Sequence, residues 1–289
     1  MSNNVETQIL PITTPTIGEI ITSLTTGNTY EMGENIGEGN FGIVYACKDT
    51  WDNNLAAKVL KPISSYEKIK ASAEAEFHKL IILRNPYITF VHDAFEFRNT
   101  FYIVTERCVS SIAALFSLPN FDGKLWLLPI ARCLLQAVHY LHVNGYVHQD
   151  IHPGNVFTSI VKDEMIPDQK DALQFKLGDL GVTKLLHEVD AANTRANWML
   201  PPEVIEPTKF GVIDHRVDIY HLGLLFLQLA YSQELYFSQE ETIQGKPRSM
   251  ALNLSPPFNF ALEKALRRHV EYRTEDATEL WRDLRSPIE

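Results

Sequence analysis

From Tyr30 to Glu106 the apolar residues fall in short runs separated by polar turns: Tyr30–Ile36, Ile43–Lys48, Leu55–Leu60, Phe90–Phe97 and Phe101–Thr105. Short runs rich in Val, Ile, Tyr and Phe predict β-strands, and their close spacing predicts a small antiparallel sheet. One stretch, Tyr66–Leu83, has a helical period instead. After Cys108 the pattern changes. Leu125–Val143, Ile219–Tyr231 and Phe258–Leu284 repeat apolar residues at spacings of three and four, which predicts a larger, mainly helical region. The expected fold class is α+β, with a hinge at Thr105-Glu106-Arg107-Cys108, where an apolar strand gives way to polar sequence. Residues 29–106 form the first lobe in this reading and 107–289 the second, and a cleft between lobes is a usual place for a ligand. Residues 1–28, with seven threonines and no sustained period, read as an N-terminal arm. No internal repeat is present.

Composition narrows the classes. The 289 residues are 45% hydrophobic, enough for one large core or two smaller ones. A formal net charge of −10 gives no general attraction to nucleic acid or anionic lipid, so no nucleic-acid partner is expected and any phosphate site must be built locally. Cys47, Cys108 and Cys133 are odd in number and form no CxxC pair, which argues against a disulfide framework and a zinc site and for a reducing compartment. The most apolar stretches, Leu125–Leu141 and Leu222–Tyr231, are respectively interrupted by Pro129 and Arg132 and too short to span a bilayer, so no membrane span is expected. The start, Met-Ser-Asn-Asn-Val-Glu, lacks a basic region followed by an apolar one. A cytoplasmic location is the expectation.

Four segments carry candidate chemistry. In His148-Gln149-Asp150-Ile151-His152-Pro153-Gly154-Asn155 a carboxylate and an amide stand five residues apart on a turn. Asp can accept a proton from an alcohol and Asn can offer Mg²⁺ a neutral oxygen, although both types also bond to local backbone in such turns. Gly37, Gly39 and Gly42 lie between two strand-like runs, where glycine lets a backbone approach phosphate. A ligand-free glycine hairpin has the same pattern. A Rossmann turn does not, because Ile43-Val44-Tyr45 continues as strand rather than helix. Lys58 sits within the apolar strand Leu55–Leu60, either facing solvent or paired with a core-facing acid on the helix, where Glu76 fits and Glu74 is the rival. Asp179, between Gly178 and Gly181, is a turn residue or an anionic metal ligand beside Asn155.

Taken in order, these segments resemble the eukaryotic-type (Hanks-type) protein kinase family. Pro201-Pro202-Glu203 looks like the family's Ala-Pro-Glu, Asp218-Ile219-Tyr220-His221-Leu222-Gly223 like its Asp-x-Trp-Ser-x-Gly helix, and Arg273 like the Arg that pairs with that Glu. The resemblance covers roughly Tyr30–Leu284 and implies a bilobal fold, ATP and Mg²⁺ as cofactors and a protein substrate. It also implies roles. Lys58, oriented by Glu76, binds the α and β phosphates; Gly37, Gly39 and Gly42 cover the triphosphate; Asp150 positions the substrate hydroxyl and accepts its proton; Asn155 and Asp179 hold Mg²⁺. Val44, Ala56 and Phe157 sandwich the adenine, and the backbone of Glu106 and Cys108 binds its edge behind a Thr105 gatekeeper. Leu80, Val91, His148 and Leu180 form a stacked column, which makes His148 packing rather than chemistry.

Three departures from the family pattern bear on activity. Gln149 replaces the Arg that many members use to receive a loop phosphate, so activity independent of phosphorylation between Asp179 and Glu203 is expected, although Thr183 and Thr194 are available. His152 occupies the place of the loop lysine of Ser/Thr members and is assigned to catalysis as a cation or a hydrogen-bond donor. The interval from Asn155 to Asp179 is 179 − 155 = 24 positions, longer than usual, with a charged, proline-broken surplus around residues 162–171 that reads as a solvated loop. Pro153, three after Asp150, resembles the Ser/Thr rather than the tyrosine branch. The expected activity is transfer of the γ-phosphoryl group of ATP to Ser/Thr hydroxyls of proteins; a small-molecule phosphotransferase and a pseudokinase-like scaffold are the alternatives. A regulatory partner is left open, with no residues assigned to it.

Overall fold

The computed structural model describes residues 13–39, 42–61, 66, 67, 70, 71, 74, 82–161, 172–180, 183–189 and 199–286. They divide into two compact units, one holding residues up to 84 with 89–107, the other 85–88 with 108 onward.

The first unit is an antiparallel sheet of six strands: β1 (Ile20–Thr22), β2 (Thr29–Glu38), β3 (Gly42–Asp49), β4 (Asn54–Leu60), β5 (Val91–Phe97) and β6 (Thr100–Glu106), in the order β1-β2-β3-β4-β6-β5. The last five are the strands expected from the apolar runs. Alternation assigns the faces. Tyr45, Cys47, Leu55, Ala57, Val59, Tyr102 and Val104 enter one core, while the paired residues Val44, Lys58 and Ile103, and Ala46, Ala56 and Thr105, stand on the other face. Although β2 and β5 do not pair, Tyr30 and Phe95 stack at 5.7 Å and Phe95 and Tyr102 at 5.4 Å. The sheet therefore curls around its aromatic core.

β1 falls within the segment read as an arm and docks it on the sheet. Ile21 is fully buried and pairs with Tyr30, and the turn after β1 is tied down where the Thr26 hydroxyl donates to Asp93 Oδ2 at 2.6 Å. Glu19 meets Arg98 at 2.8 Å. Three residues show too little alternation to register as a strand; distant partners make this one. The helix expected at Tyr66–Leu83, with Glu76 and Leu80, lies mostly outside the described residues.

The second unit is mainly helical. Helix α1 (Gly123–Val143) starts where Asp122 accepts a hydrogen bond from the Lys124 N–H at 3.1 Å. The later helices are α2 (Pro202–Ile205), α3 (Pro207–Phe210), α4 (Arg216–Tyr231), α5 (Gln239–Gln244), α6 (Lys246–Leu252), α7 (Phe258–Ala265) and α8 (Ala277–Leu284). The apolar period over Phe258–Leu284 does not make one helix. α7 ends at Ala265, a short turn at Val270–Tyr272 follows, and Asp276 starts α8 by accepting from the Glu279 N–H at 2.8 Å. The break frees extended backbone at Arg273, which reaches a distant carboxylate. The interval after Asn155 is a long hairpin, Val156–Val161 paired with Ala172–Leu177, whose connecting residues 162–171 lie outside the described set. Among the described residues no helix is long and apolar enough to cross a membrane.

Candidate functional site

In the second unit the segment from His148 to Asn155 is fixed from beneath by Asp218 on α4. This buried carboxylate accepts from Gln149 N–H at 2.7 Å, His148 N–H at 2.8 Å and His142 Nε2 at 2.9 Å. Burial alone would raise its pKa, but these donors outweigh burial and hold it below the usual carboxylate range. His148 bridges two loops: its Nδ1 accepts from the Asp150 N–H at 3.2 Å, so Nε2 carries the proton donated to the Gly178 carbonyl at 3.0 Å. That bridge supports the packing role expected of His148, with Leu180 buried in the same unit.

Asp150 and Asn155 meet directly. The Asn155 amide donates to Asp150 O at 3.0 Å and to Oδ2 at 3.2 Å, which turns its own Oδ1 to the opposite side of the amide. Gly178 N–H donates to the Asn155 carbonyl at 2.8 Å and so brings Asp179 alongside, with Asp179 in the left-handed region at φ 55°. One amide oxygen and one carboxylate fit Mg²⁺, which takes few protein ligands and completes its shell with water and phosphate oxygens. Among the described residues no cage of three or more His, Cys, Asp or Glu competes for that part. Burial of Asp150 works against ionisation, but the imidazoles of His152, His148 and His221 outweigh it and keep the carboxyl below its ordinary range.

His152 caps the turn Pro153–Asn155, its Nδ1 accepting from the Gly154 N–H at 3.1 Å, while Nε2 stands 3.7 Å from Asp150 Oδ2. With Nδ1 accepting, Nε2 is the ring atom that presents a proton on the side of Asp150. A Cβ at Gly154 would lie 2.9 Å from the His152 ring, so a side chain there would displace the imidazole. Gln149 is buried, with φ 69°. Thr183, offered above as a modification site, is also fully buried, which is a correction; Thr194 lies outside the described residues. His142 and His221 carried no assignment from sequence. His221 lies wholly inside α4, one turn beyond Asp218, and burial pushes its pKa down to about 4.

The first unit positions a second group. Gly37 pairs with Val44 across the hairpin and Gly39 N–H donates to Gly42 O at 2.9 Å. The three glycines differ. A Cβ at Gly42 would stand 2.8 Å from the Val59 carbonyl, so that glycine is needed for strand packing, whereas among the described residues one at Gly39 would meet nothing within 4 Å and one at Gly37 only Val44 at 4.0 Å. Open space above Gly37 and Gly39 suits a bulky ligand. Lys58 is half-buried between Val44 and Ile103 on the face away from the aromatic core, and the Thr105 hydroxyl lies 3.4 Å from the Ala56 carbonyl. Glu106 clasps Phe90, its N–H donating to Phe90 O at 2.9 Å and its Oε1 accepting from Phe90 N–H at 2.7 Å. The Glu106 N–H is thus committed to Phe90, and its carbonyl is the backbone group it can turn to a ligand. Cys108 and Phe157 are half-buried members of the second unit, and Glu76 is outside the described residues.

Glu203 and Arg273, fully buried, join in a two-pronged pair at 2.6 and 2.7 Å, and Arg273 also donates to the carbonyls of Arg267, Arg216 and Arg268. This ties the start of α2 to the break before α8.

Comparison with known proteins gives a match to the family described as Protein kinase domain over residues 30–284. The chain is 34% identical over 210 residues to the membrane-associated tyrosine- and threonine-specific cdc2-inhibitory kinase wee-1.3 of Caenorhabditis elegans, covering 69% of this chain and 28% of that protein. It is 28% identical over 259 residues to serine/threonine-protein kinase 10 of Danio rerio, covering 84% of this chain and 25% of the relative. It is 26% identical over 260 residues to serine/threonine-protein kinase dst4 of Dictyostelium discoideum, with 84% and 51% covered. The matches thus span between a quarter and about half the length of these relatives.

Proposed function

The chain belongs to the protein kinase domain family, and from that premise we propose that it is an ATP- and Mg²⁺-dependent protein kinase acting on Ser and Thr hydroxyls. The observation that carries this reading is the Asp150–Asn155 pair, with Asp179 drawn alongside by the Gly178–Asn155 hydrogen bond. In this reading ionised Asp150 orients the substrate hydroxyl and receives its proton. Asn155 Oδ1 and the Asp179 carboxylate hold Mg²⁺, which when bound neutralises charge on the phosphates. Lys58, oriented by Glu76, binds the α and β phosphates beneath Gly37, Gly39 and Gly42. Val44, Ala56 and Phe157 enclose the adenine, the Glu106 carbonyl and Cys108 N–H take its edge, and Thr105 closes the space behind. Catalysis by such residues is positioning and electrostatic stabilisation.

Two features tune the rate. His152 supplies a hydrogen bond where Ser/Thr members of the family supply a lysine charge, which favours slow turnover. Buried, neutral Gln149 cannot pair with a phosphoryl dianion, so the enzyme acts without phosphorylation of its activation segment. Three cysteines without disulfides support a cytoplasmic setting.

The test is incubation of the pure chain with labelled ATP and Mg²⁺, with and without a generic protein substrate, beside Asp150→Ala. Label transferred to Ser or Thr, and reduced ~10²–10⁴-fold in the variant, is the expected result. Label on Tyr alone would overturn the Ser/Thr assignment, transfer only to a small alcohol would indicate a small-molecule phosphotransferase, and equal label in both proteins would remove Asp150 from the mechanism.

A further inference from the structure

On the second unit, α1 and α8 pack side by side and leave a groove of about 570 Å³ lined by Arg132, Leu135, Gln136, Ala277, Trp281 and Arg285, with Thr278 at its edge. That volume falls in the ~300–1,000 Å³ range of ligand pockets. The spacing explains how it forms. Arg132, Leu135 and Gln136 share one face of α1, and Ala277, Trp281 and Arg285 recur at intervals of four along α8. Leu135 and Ala277 are buried and make the floor, Trp281 is half-buried, and the two arginines are exposed.

The charge on this groove is opposite to that of the chain. The net charge is −10, yet among the described residues no carboxylate lines the groove. The acids of α8 are turned elsewhere: Glu279 and Asp283 hold Lys264 at 2.7 and 3.3 Å, and Asp276 accepts from the Thr278 hydroxyl at 2.6 Å and the Glu279 N–H at 2.8 Å. Among the described residues neither Arg132 nor Arg285 forms an ion pair; the Arg285 guanidinium lies over the Trp281 ring at 5.4 Å. The exposed stripe of α1 continues from Arg132 to Leu128 and to Leu125, which is 73% exposed. Seven residues of helix separate Leu125 from Arg132, roughly 10 Å at ~1.5 Å per residue, the reach of about three residues of extended peptide.

We propose that this groove is a docking site for an acidic peptide segment of a protein partner, with carboxylates between Arg132 and Arg285, an aromatic or aliphatic side chain against Trp281, and a further apolar residue about three positions away on Leu125 and Leu128. Two guanidiniums on the rim of a Trp-walled groove match the carboxylate and aromatic chemistry of such a segment. The site serves recruitment rather than phosphoryl transfer, and binding there is measurable whether or not the chain is an active kinase.

The probe is a fluorescein-labelled peptide carrying two leucines, a short spacer and a Glu-Phe-Glu-Glu run, titrated with the full chain and read by anisotropy. A control peptide replaces the glutamates by lysines. The wild type is expected to bind the acidic probe, more weakly as salt rises, and not the lysine probe. Arg132→Glu/Arg285→Glu should weaken binding at least ~10-fold, or ~1.4 kcal/mol, and Leu125→Ser/Leu128→Ser several-fold. Arg132→Gln/Arg285→Gln removes charge without reversing it and should act in the same direction; thermal melting checks the fold of each variant. Equal affinity for the lysine probe, a dissociation constant unchanged within about twofold in both arginine variants, or no binding at millimolar peptide would overturn the proposal.

Discussion

Acidification provides a quantitative test of the interior beneath the candidate catalytic loop. His221 is fully buried in α4, and burial is the largest influence on its pKa, which falls from 6.5 to about 4 even though Asp218, Asp150 and Glu203 favour the proton. The unfolded chain takes up this proton near 6.5, the folded chain only near 4. Because the folded pKa is depressed, the contribution to stability is fully present above 6.5 and is lost as pH falls toward 4. Within the window the unfolded state binds one more proton, giving a slope of ~1.4 kcal/mol per pH unit and a total of about 3 kcal/mol over 2.5 units. Against a typical stability of ~5–15 kcal/mol that is a large share. The assay is equilibrium urea unfolding from pH 7 to 4.5 on wild type and His221→Gln, which keeps a polar side chain that does not titrate. The chain has ten histidines, so the quantity of interest is the difference between the two curves. Wild type should lose roughly 2–2.5 kcal/mol more than the variant between pH 7 and 4.5; curves parallel within ~0.5 kcal/mol would refute the assignment of a buried neutral imidazole.

Three further outcomes follow from the same loops. Asp218→Asn sets an amide N–H against a backbone donor and should lower urea stability by ~2–4 kcal/mol and turnover at least ~10-fold; a loss under ~1 kcal/mol would mean that the three donors on Asp218 do not hold the loop. Arg273→Met leaves Glu203 as a buried unpaired carboxylate and should destabilise by ~3–5 kcal/mol, whereas Arg273→Met/Glu203→Leu should recover much of that loss; equal denaturation midpoints in the two variants would contradict this. His152→Lys places an ammonium where the imidazole, with Nδ1 engaged by Gly154, presents a hydrogen-bond donor, so kcat should rise; an unchanged kcat with unchanged KM for ATP would make His152 a packed turn residue.

What could be read from sequence and what could not divide along the range of the interactions. Five strands announced themselves because alternation is a local signal, and the residues Asp150, Asn155 and Asp179 because their types and order are. β1 did not, because only pairing with Tyr30 makes Ile20–Thr22 a strand. The apolar period across Phe258–Leu284 hid a chain break, since Val270 is buried in the turn as it would be in a helix, and only the reach of Arg273 to Glu203 shows why the helix stops.

The loop itself gives the sharpest case. Asp179 at φ 55° is of a type that tolerates the left-handed region, but Gln149 at φ 69° is not, and such a residue costs about 1–2 kcal/mol. That strain persists only if something over-determines it. Asp218 does so, accepting the Gln149 N–H at 2.7 Å and the His148 N–H at 2.8 Å from a carboxylate held ionised. The bend points Asp150 toward Asn155, so the geometry of the pair rests on a residue about seventy positions away. No pattern within the loop could have disclosed that dependence, and it places the control of Asp150 in α4 rather than in the loop's own turn residues.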